Sequence, residues 1–195
     1  MDTVIEEIRR YAKSALGDAG SHGMDHTDRV TRMCRMIGDR EHAAMDILIP
    51  AALLHDIARP LEKEKGLSHE REGALMAEAY LASIHYNPAL IPAISAAIHT
   101  HRFRSGERPV SAEAKILSDA DKLDAMGAVG IARTFMRAAE HGGDIEDAVM
   151  HFHDKLLKLQ DLMYTKTGRD IANERHAFLV TFLNRLSHET GVSSP

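Results

Sequence analysis

The 195-residue sequence has no tryptophan, one cysteine and few aromatic residues, only four Tyr and five Phe. A core without tryptophan must be assembled from Ala, Leu, Ile, Val and Met. The lone Cys34 excludes an intramolecular disulfide and points to a reducing compartment. An excess of positive charge is also missing, since 24 Lys and Arg stand against 29 Asp and Glu, for a net charge of -5. That balance gives no electrostatic footprint for duplex nucleic acid or anionic membrane. It stays compatible with a small anionic substrate, because a metal ion can supply positive charge locally. No apolar run approaches the roughly 20 residues that span a bilayer. The opening stretch, MDTVIEEIRRYAKSALG, mixes acids and bases unlike a signal or transit peptide. What remains is a cytoplasmic enzyme or binding domain with no membrane and no stable nucleic-acid partner.

An apolar fraction of 44% and a charged fraction of 27% are those of an ordinary globular protein. The length suits one domain, residues 1–195. Helical periodicity dominates. Val4, Ile5, Ile8, Tyr11, Ala12 and Ala15 recur at three- and four-residue steps up to Gly17. Val30, Met33, Cys34 and Ile37 line a second helix, read from Asp25 to Gly38. Asp46 is read as a cap for the run Ile47, Ile49, Ala51, Ala52, Leu53, Leu54, apolar on all sides and therefore central. Pro60 is read as closing that segment, EKEKGLS as a polar loop, and Ser68 as capping a helix that contains Gly73 to Leu81. Asn87-Pro88 marks a turn before a helix reaching His101, and RSGERPV a loop before a helix starting at Ser111. Gly142-Gly143 breaks the chain again. Ile145 to Tyr164 and Ile171 to Ser187 read as two more helices, and VSSP as a frayed tail. With no strand and no repeat, the expected fold is all-α with seven or more helices.

Thirteen histidines are present, and their positions matter more than their number. His55-Asp56 ends the buried run AALLHD, where burying both without compensation is costly. Adjacent helical residues point about 100° apart, so both reach one ion only near a helix end or distortion. The structural alternative is a pair that caps a bundle helix. His22 and His26 lie four apart, a spacing that can share a helix face and hold a divalent metal. Gly20-Ser21 and Gly23 place His22 before the helix, which leaves His26 as the better ligand. Asp119, Asp121 and Asp124 cluster just after the apolar Ile116 and Leu117, each also readable as a surface or capping acid.

The order His…His-Asp…Asp resembles the HD-domain superfamily of metal-dependent phosphohydrolases. The resemblance is carried by His26 followed by Arg29-Val30, by AALLHDIA, and by ADKLDAMGAVGIARTF from Ala120. A later segment, HDKLLKLQDLMYTKTGRDIANERHAFLVTFL, is similar to small stand-alone bacterial and archaeal HD hydrolases. The resemblance implies an HD-type helical bundle with a metal-site core over about 20–135 and C-terminal helices over about 144–188. It also implies a buried divalent metal on His26, His55, Asp56 and Asp121, the last matching the family's closing aspartate, with Asp119 as substitute. Two imidazoles and two carboxylates suit Mn, Mg, Fe, Co, Ni or Zn and leave positions open for water and substrate. A water so activated would attack phosphorus, Asp56 also hydrogen-bonding it. No Ser, Cys or Lys nucleophile motif and no GxxxxGKS loop competes with that reading.

Related two-metal branches carry a histidine in an HxxxGA segment and a histidine pair before a loop. His69 and His101 match two of those positions, but Arg102 stands at the third. The expectation is therefore one tightly bound metal, with His69 and His101 acting on substrate as phosphate binders or proton donors. Arg29, Arg59 and Lys122 are expected to meet substrate phosphates, and Arg133 to pair with Asp124. His99 is read as structural, and His141, His151, His153, His176 and His188 as surface or packing residues. The stretch with Arg102, Arg104 and Arg108 is either a lid or an exposed connection.

The sequence thus points to hydrolysis of a nucleotide or small phosphorylated metabolite; monoester, diester and pyrophosphate bonds all stay open, and the resemblance to small stand-alone HD hydrolases leans towards nucleoside triphosphate pyrophosphohydrolysis. A homodimer is compatible with this. The alternatives are a cyclic-dinucleotide phosphodiesterase, against which Arg102 and a missing GYP-type signature argue, and a non-catalytic metal sensor or scaffold.

Overall fold

The computed structural model describes residues 2–17, 23–102 and 107–191. His22, Arg104 and the VSSP tail lie outside the described residues. Among those described there are ten α-helices, one 3-10 helix and no strand, so the all-α expectation holds. The chain divides into two compact units, Met1–Ala120 and Asp121–Pro195.

The first unit is organised around α3 (Met45–Leu54), against which α1 (Asp2–Leu16), α2 (Met24–Glu41) and α6 (Ile91–His99) pack. Leu48 to Leu54 are all buried, as a helix apolar on every side requires. Pro50 lies inside this helix and cannot donate to the carbonyl of Asp46 four residues back. The Tyr86 hydroxyl donates to that carbonyl instead, at 2.6 Å. Two short-range readings are corrected here. The second helix does not stop at Gly38 but runs on to Glu41, and His42 closes it with a left-handed φ of 56°. Gly38 is there for close approach: a Cβ would lie 2.7 Å from Leu48 Cδ2 and 2.9 Å from Met45 Cε. Asp46, likewise, sits in the first turn of α3, while Ala44 occupies the cap position.

Pro60 opens a helix rather than closing one. α4 (Arg59–Lys65) carries it in its first turn and absorbs the charged residues read as a loop, ending at Gly66 with φ 68°. Proline suits a first turn because the N–H it lacks has no intrahelical partner there. Ser68 does cap α5 (His69–Ser83), accepting from the Arg71 amide at 3.4 Å, and α5 packs on α6. Ser111 caps the start of α7 (Ala112–Asp124) by accepting from the Ala114 amide at 3.1 Å.

The second unit holds the end of α7, then α8 (Gly127–Glu140), α9 (Ile145–Asp154), a 3-10 helix (Leu156–Leu162) and α10 (Lys166–Thr190). The expected helix from Ile145 to Tyr164 is thus two elements, broken at Lys155. α10 packs on α8 and on the 3-10 helix. Phe135, Phe152 and Phe182 cluster with ring centroids 6.0–6.3 Å apart, so three of the five phenylalanines build one core. Asp144 caps α9 through a capping box with Asp147. No helix of the described residues is long and apolar enough to cross a membrane.

Candidate metal centre

The centre grows out of the end of α3. After Leu54 the chain leaves regular helix through a turn over 55–58, and this turn brings His55 and Asp56 to bear on one region. His55 is completely buried and Asp56 nearly so. His55 Nδ1 donates to the Ala52 carbonyl at 2.7 Å. That bond fixes the tautomer, so the neutral ring presents its Nε2 lone pair away from the helix. His26, in the first turn of α2, brings its Nε2 to 3.3 Å from that atom. Asp56 Oδ2 lies 3.6 Å from His26 Nε2 and 3.7 Å from His55 Nε2.

The other oxygen of Asp56 faces a second pair of rings. Oδ1 is 3.4 Å from Nε2 of His69, at the start of α5, and 3.7 Å from Nε2 of His101, just beyond α6. His101 Nδ1 donates to the Ile98 carbonyl at 2.6 Å, which again turns Nε2 inward. The Ser118 hydroxyl, from α7, donates to the His101 carbonyl at 2.8 Å and holds the backbone there. His26, His55, His101 and His69 form a chain of edge-on rings with centroids 5.2–5.4 Å apart. One carboxylate therefore stands inside an arc of four imidazoles, all at most 1% exposed.

That donor set fits a cation. Donors around one ion at about 2.1 Å lie roughly 3.0 Å apart at right angles and roughly 3.4 Å apart at tetrahedral angles. The triangle of His26, His55 and Asp56 is only slightly wider than this, and Asp56, His69 and His101 form a second group whose donors lie within 4.8 Å of one another. His55 and His101 each turn an Nε2 lone pair toward the Asp56 carboxylate, a repulsion that positive charge among them relieves.

An outer layer of charge surrounds the second group. Arg59 Nε donates to Asp56 Oδ1 at 2.9 Å and its terminal nitrogen to Glu62 Oε2 at 2.9 Å. Arg102 donates to Glu62 Oε1 at 2.8 Å and lies 3.6 Å from Glu70 Oε2. His69 Nδ1 stands 3.0 Å from Glu62 Oε2 and 3.2 Å from Glu70 Oε2. Burial and the Arg59 charge push His69 down to about 4, against Asp56. Burial would raise Glu62, but His69, Arg59 and Arg102 outweigh it and hold the carboxyl at about 2.

Six of the residues picked out in the sequence therefore gather here: His26, His55, Asp56, Arg59, His69 and His101. Arg29 is half-buried on α2, three residues after His26. Asp121 opens the second unit and is half-buried; Asp119, its substitute, is fully buried in the first. Lys122 is buried with its Nζ 4.8 Å from the centre of the Tyr164 ring. Arg133 pairs with Asp124 at 2.5 Å, as expected, and His99 pairs with Glu107 at 3.3 Å. Glu62, Glu70 and Arg102 are the residues sequence reasoning did not assign to the site. Glu62 sits in a run of alternating charge that looks solvated, and its partners lie 7 and 40 positions further along the chain. Only the HE dipeptide of His69-Glu70 carried a local signal.

Comparison with known proteins gives the family. The HD domain family model matches residues 23–126. This chain belongs to the HD-domain superfamily. A relative from Bacillus subtilis, YpgQ, is 36% identical over 94% of this chain and 92% of its own. The crystal structure of YpgQ in complex with ADP superposes with a TM-score of 0.80 at 34% identity, covering 95% of this chain and 97% of that one. A predicted HD superfamily hydrolase from an uncultured Thermotogales bacterium gives a TM-score of 0.75 at 33% identity, covering 94% and 91%. An HD-superfamily hydrolase from Bacillus thuringiensis gives 0.81 at 30%, covering 98% and 99%.

Proposed function

We propose that this HD-domain protein is a metal-dependent phosphohydrolase acting on a nucleotide or a similar small phosphorylated metabolite. The observation that carries the reading is the buried Asp56 carboxylate with His26 and His55 at 3.6 and 3.7 Å on one oxygen and His69 and His101 at 3.4 and 3.7 Å on the other. His26, His55 and Asp56 would hold a divalent metal, with Asp121 as the fourth ligand that the family resemblance supplies. Such an ion lends Lewis acidity to a phosphoryl oxygen and to water.

The chain's own residues do the rest. Asp56 orients the attacking water through a carboxylate oxygen. Arg59, held against Asp56 and Glu62, offers in-plane guanidinium N–H donors to a phosphate. His69 and His101 present Nε2 to the same region, and each must take up a proton there before it can bind phosphate or protonate the leaving oxygen. Arg29 and Lys122 are the further phosphate-binding residues in this reading. A nucleotide is favoured because YpgQ, similar over almost its whole length, has been crystallised with ADP; pyrophosphate release from a nucleoside triphosphate is the preferred reaction.

One observation supports a second reading of stoichiometry. Asp56, His69 and His101 form a donor group of their own, so a second, weaker ion bridged by Asp56 is the alternative to histidines acting on substrate alone.

The test is phosphate and pyrophosphate release from a nucleotide panel with Mn, Mg, Co, Ni or no added metal, run beside Asp56→Ala and Asp121→Ala. Metal-dependent turnover lost in both variants supports the reading, and the product names the bond. Stoichiometric metal without turnover on any member would favour a sensor. Full activity in Asp121→Ala would move the fourth ligand to Asp119.

A further inference from the structure

Glu62 touches none of the reacting groups, yet it is the hub of the layer around the second histidine pair. Its two oxygens are divided. Oε1 accepts from Arg102 at 2.8 Å, while Oε2 accepts from Arg59 at 2.9 Å and faces His69 Nδ1 at 3.0 Å. Among the described residues the only donor directed at His69 Nδ1 is a long one, Arg102 at 3.5 Å. The atoms closer to it are two carboxylate oxygens, Glu62 at 3.0 Å and Glu70 at 3.2 Å. Two near acceptors against one distant donor require Nδ1 to carry the hydrogen.

The consequence lies on the far side of the ring. With its hydrogen on Nδ1, neutral His69 shows a lone pair at Nε2, which is buried, has no hydrogen-bond partner among the described residues, and lies 3.4 Å from Asp56 Oδ1. His55 and His101 are set in the same tautomer by backbone carbonyls at the ends of their own helices. His69 begins its helix, so no carbonyl one turn back is available to it. It therefore needs a side chain for the job, and α4 supplies one.

We propose that Glu62 is a positioning residue for the phosphohydrolase reaction. It fixes the tautomer of His69 so that Nε2 faces the reacting groups, and it holds Arg59 and Arg102, one on each of its oxygens, Glu70 being an auxiliary acceptor. The inference rests on the proposed function for its kinetic consequence, but not for its structural one. A carboxylate that orients a functional histidine is worth roughly 10- to 100-fold in activity.

The experiment uses the full chain with Mg2+, labelled with 15N in its histidines, as wild type, Glu62→Gln, Glu62→Leu and Glu70→Gln. The His69 signals are identified by their loss in His69→Asn. Ring nitrogen shifts report the tautomer directly, and metal content, melting temperature and turnover are recorded on the same samples. Wild-type His69 is expected wholly in the Nδ1–H form. Both Glu62 variants should give a mixture of tautomers, with kcat down roughly 10- to 100-fold and with metal content and melting temperature close to wild type; Glu70→Gln should give the smaller change on every readout. Wild-type His69 protonated on Nε2, an unchanged tautomer in both Glu62 variants, or Glu70→Gln acting more strongly than Glu62→Gln would overturn the assignment. So would turnover within twofold of wild type despite a changed tautomer, or activity lost in proportion to metal. A wild-type protein that turns over nothing would refute the phosphohydrolase reading, and Glu62's role in that reaction with it, while the ring shifts still decide whether Glu62 sets the His69 tautomer.

Discussion

The two compact units bury charge in different ways. In Asp121–Pro195 the buried or half-buried charges meet local partners: Arg133 on Asp124, Lys122 over the Tyr164 ring, Arg175 on the Leu123 carbonyl. In Met1–Ala120 the buried polar groups converge, four imidazoles and one guanidinium on the single carboxylate of Asp56. An ion pair such as Arg133–Asp124 neutralises its charge within the pair. Convergence costs desolvation several times over in one place, and it is sustained when something positive is shared among the donors. Burial of a charge is thus a poor guide to function, and the number of donors aimed at it is a better one.

The strongest way to break the contrast is His55→Gln, which roughly keeps volume but replaces the imidazole nitrogen donor by a weaker amide. Metal retained after gel filtration and turnover should both fall by more than the roughly 100-fold seen for outer residues; retained metal would mean that His55 is structural. Next is the other unit's core. Phe152 is fully buried among Phe135 and Phe182, and Phe152→Ala should cost about 3–5 kcal/mol in urea unfolding with metal content per folded chain unchanged. A loss below about 1 kcal/mol would mean that the ring cluster is not where that unit's stability resides.

Smaller effects sharpen the picture. In Gly38→Ala the added methyl meets Leu48 and Met45. Overpacking costs about 1–3 kcal/mol, offset by about 1 kcal/mol of helix propensity, so a net loss of about 1 kcal/mol is expected in thermal unfolding. A net gain would show that Leu48 and Met45 yield freely. The smallest effect is a slope. Burial, then Lys155 and Arg137, lower the pKa of His151 below its ordinary 6.5, so the fold favours the neutral ring. Unfolded chains then bind more protons below 6.5, and stability is present above that value and lost as pH falls. His151→Gln should flatten the difference in urea midpoint between about pH 5 and about pH 7.5; an unchanged difference would contradict the burial of that ring.

Much of this was legible in the sequence, for reasons that can be named. The dipeptide His55-Asp56 stood out because it interrupts an apolar run, and the helix end needed for both side chains to converge is there. Ser68, Ser111 and Gly142-Gly143 marked boundaries because caps and breaks are local chemistry. Gly38 and Pro60 misled because each has two uses: glycine also admits a close neighbour, and proline also starts helices. Glu62 left no mark at all, and Arg102 stood out only as a departure from the two-metal pattern and as part of a connection, not as a partner of Glu62. Their meaning comes from His69 and from each other across 40 positions of chain, which no local pattern encodes.

The most direct measurement is the anomalous diffraction of crystals grown with Mn2+ under conditions in which the protein turns over a nucleotide. A peak is expected about 2.0–2.2 Å from His26 Nε2, His55 Nε2 and Asp56 Oδ2, with a weaker peak beside Asp56 Oδ1, His69 and His101 if a second ion is held. An active protein with no peak inside the first triangle would contradict the account.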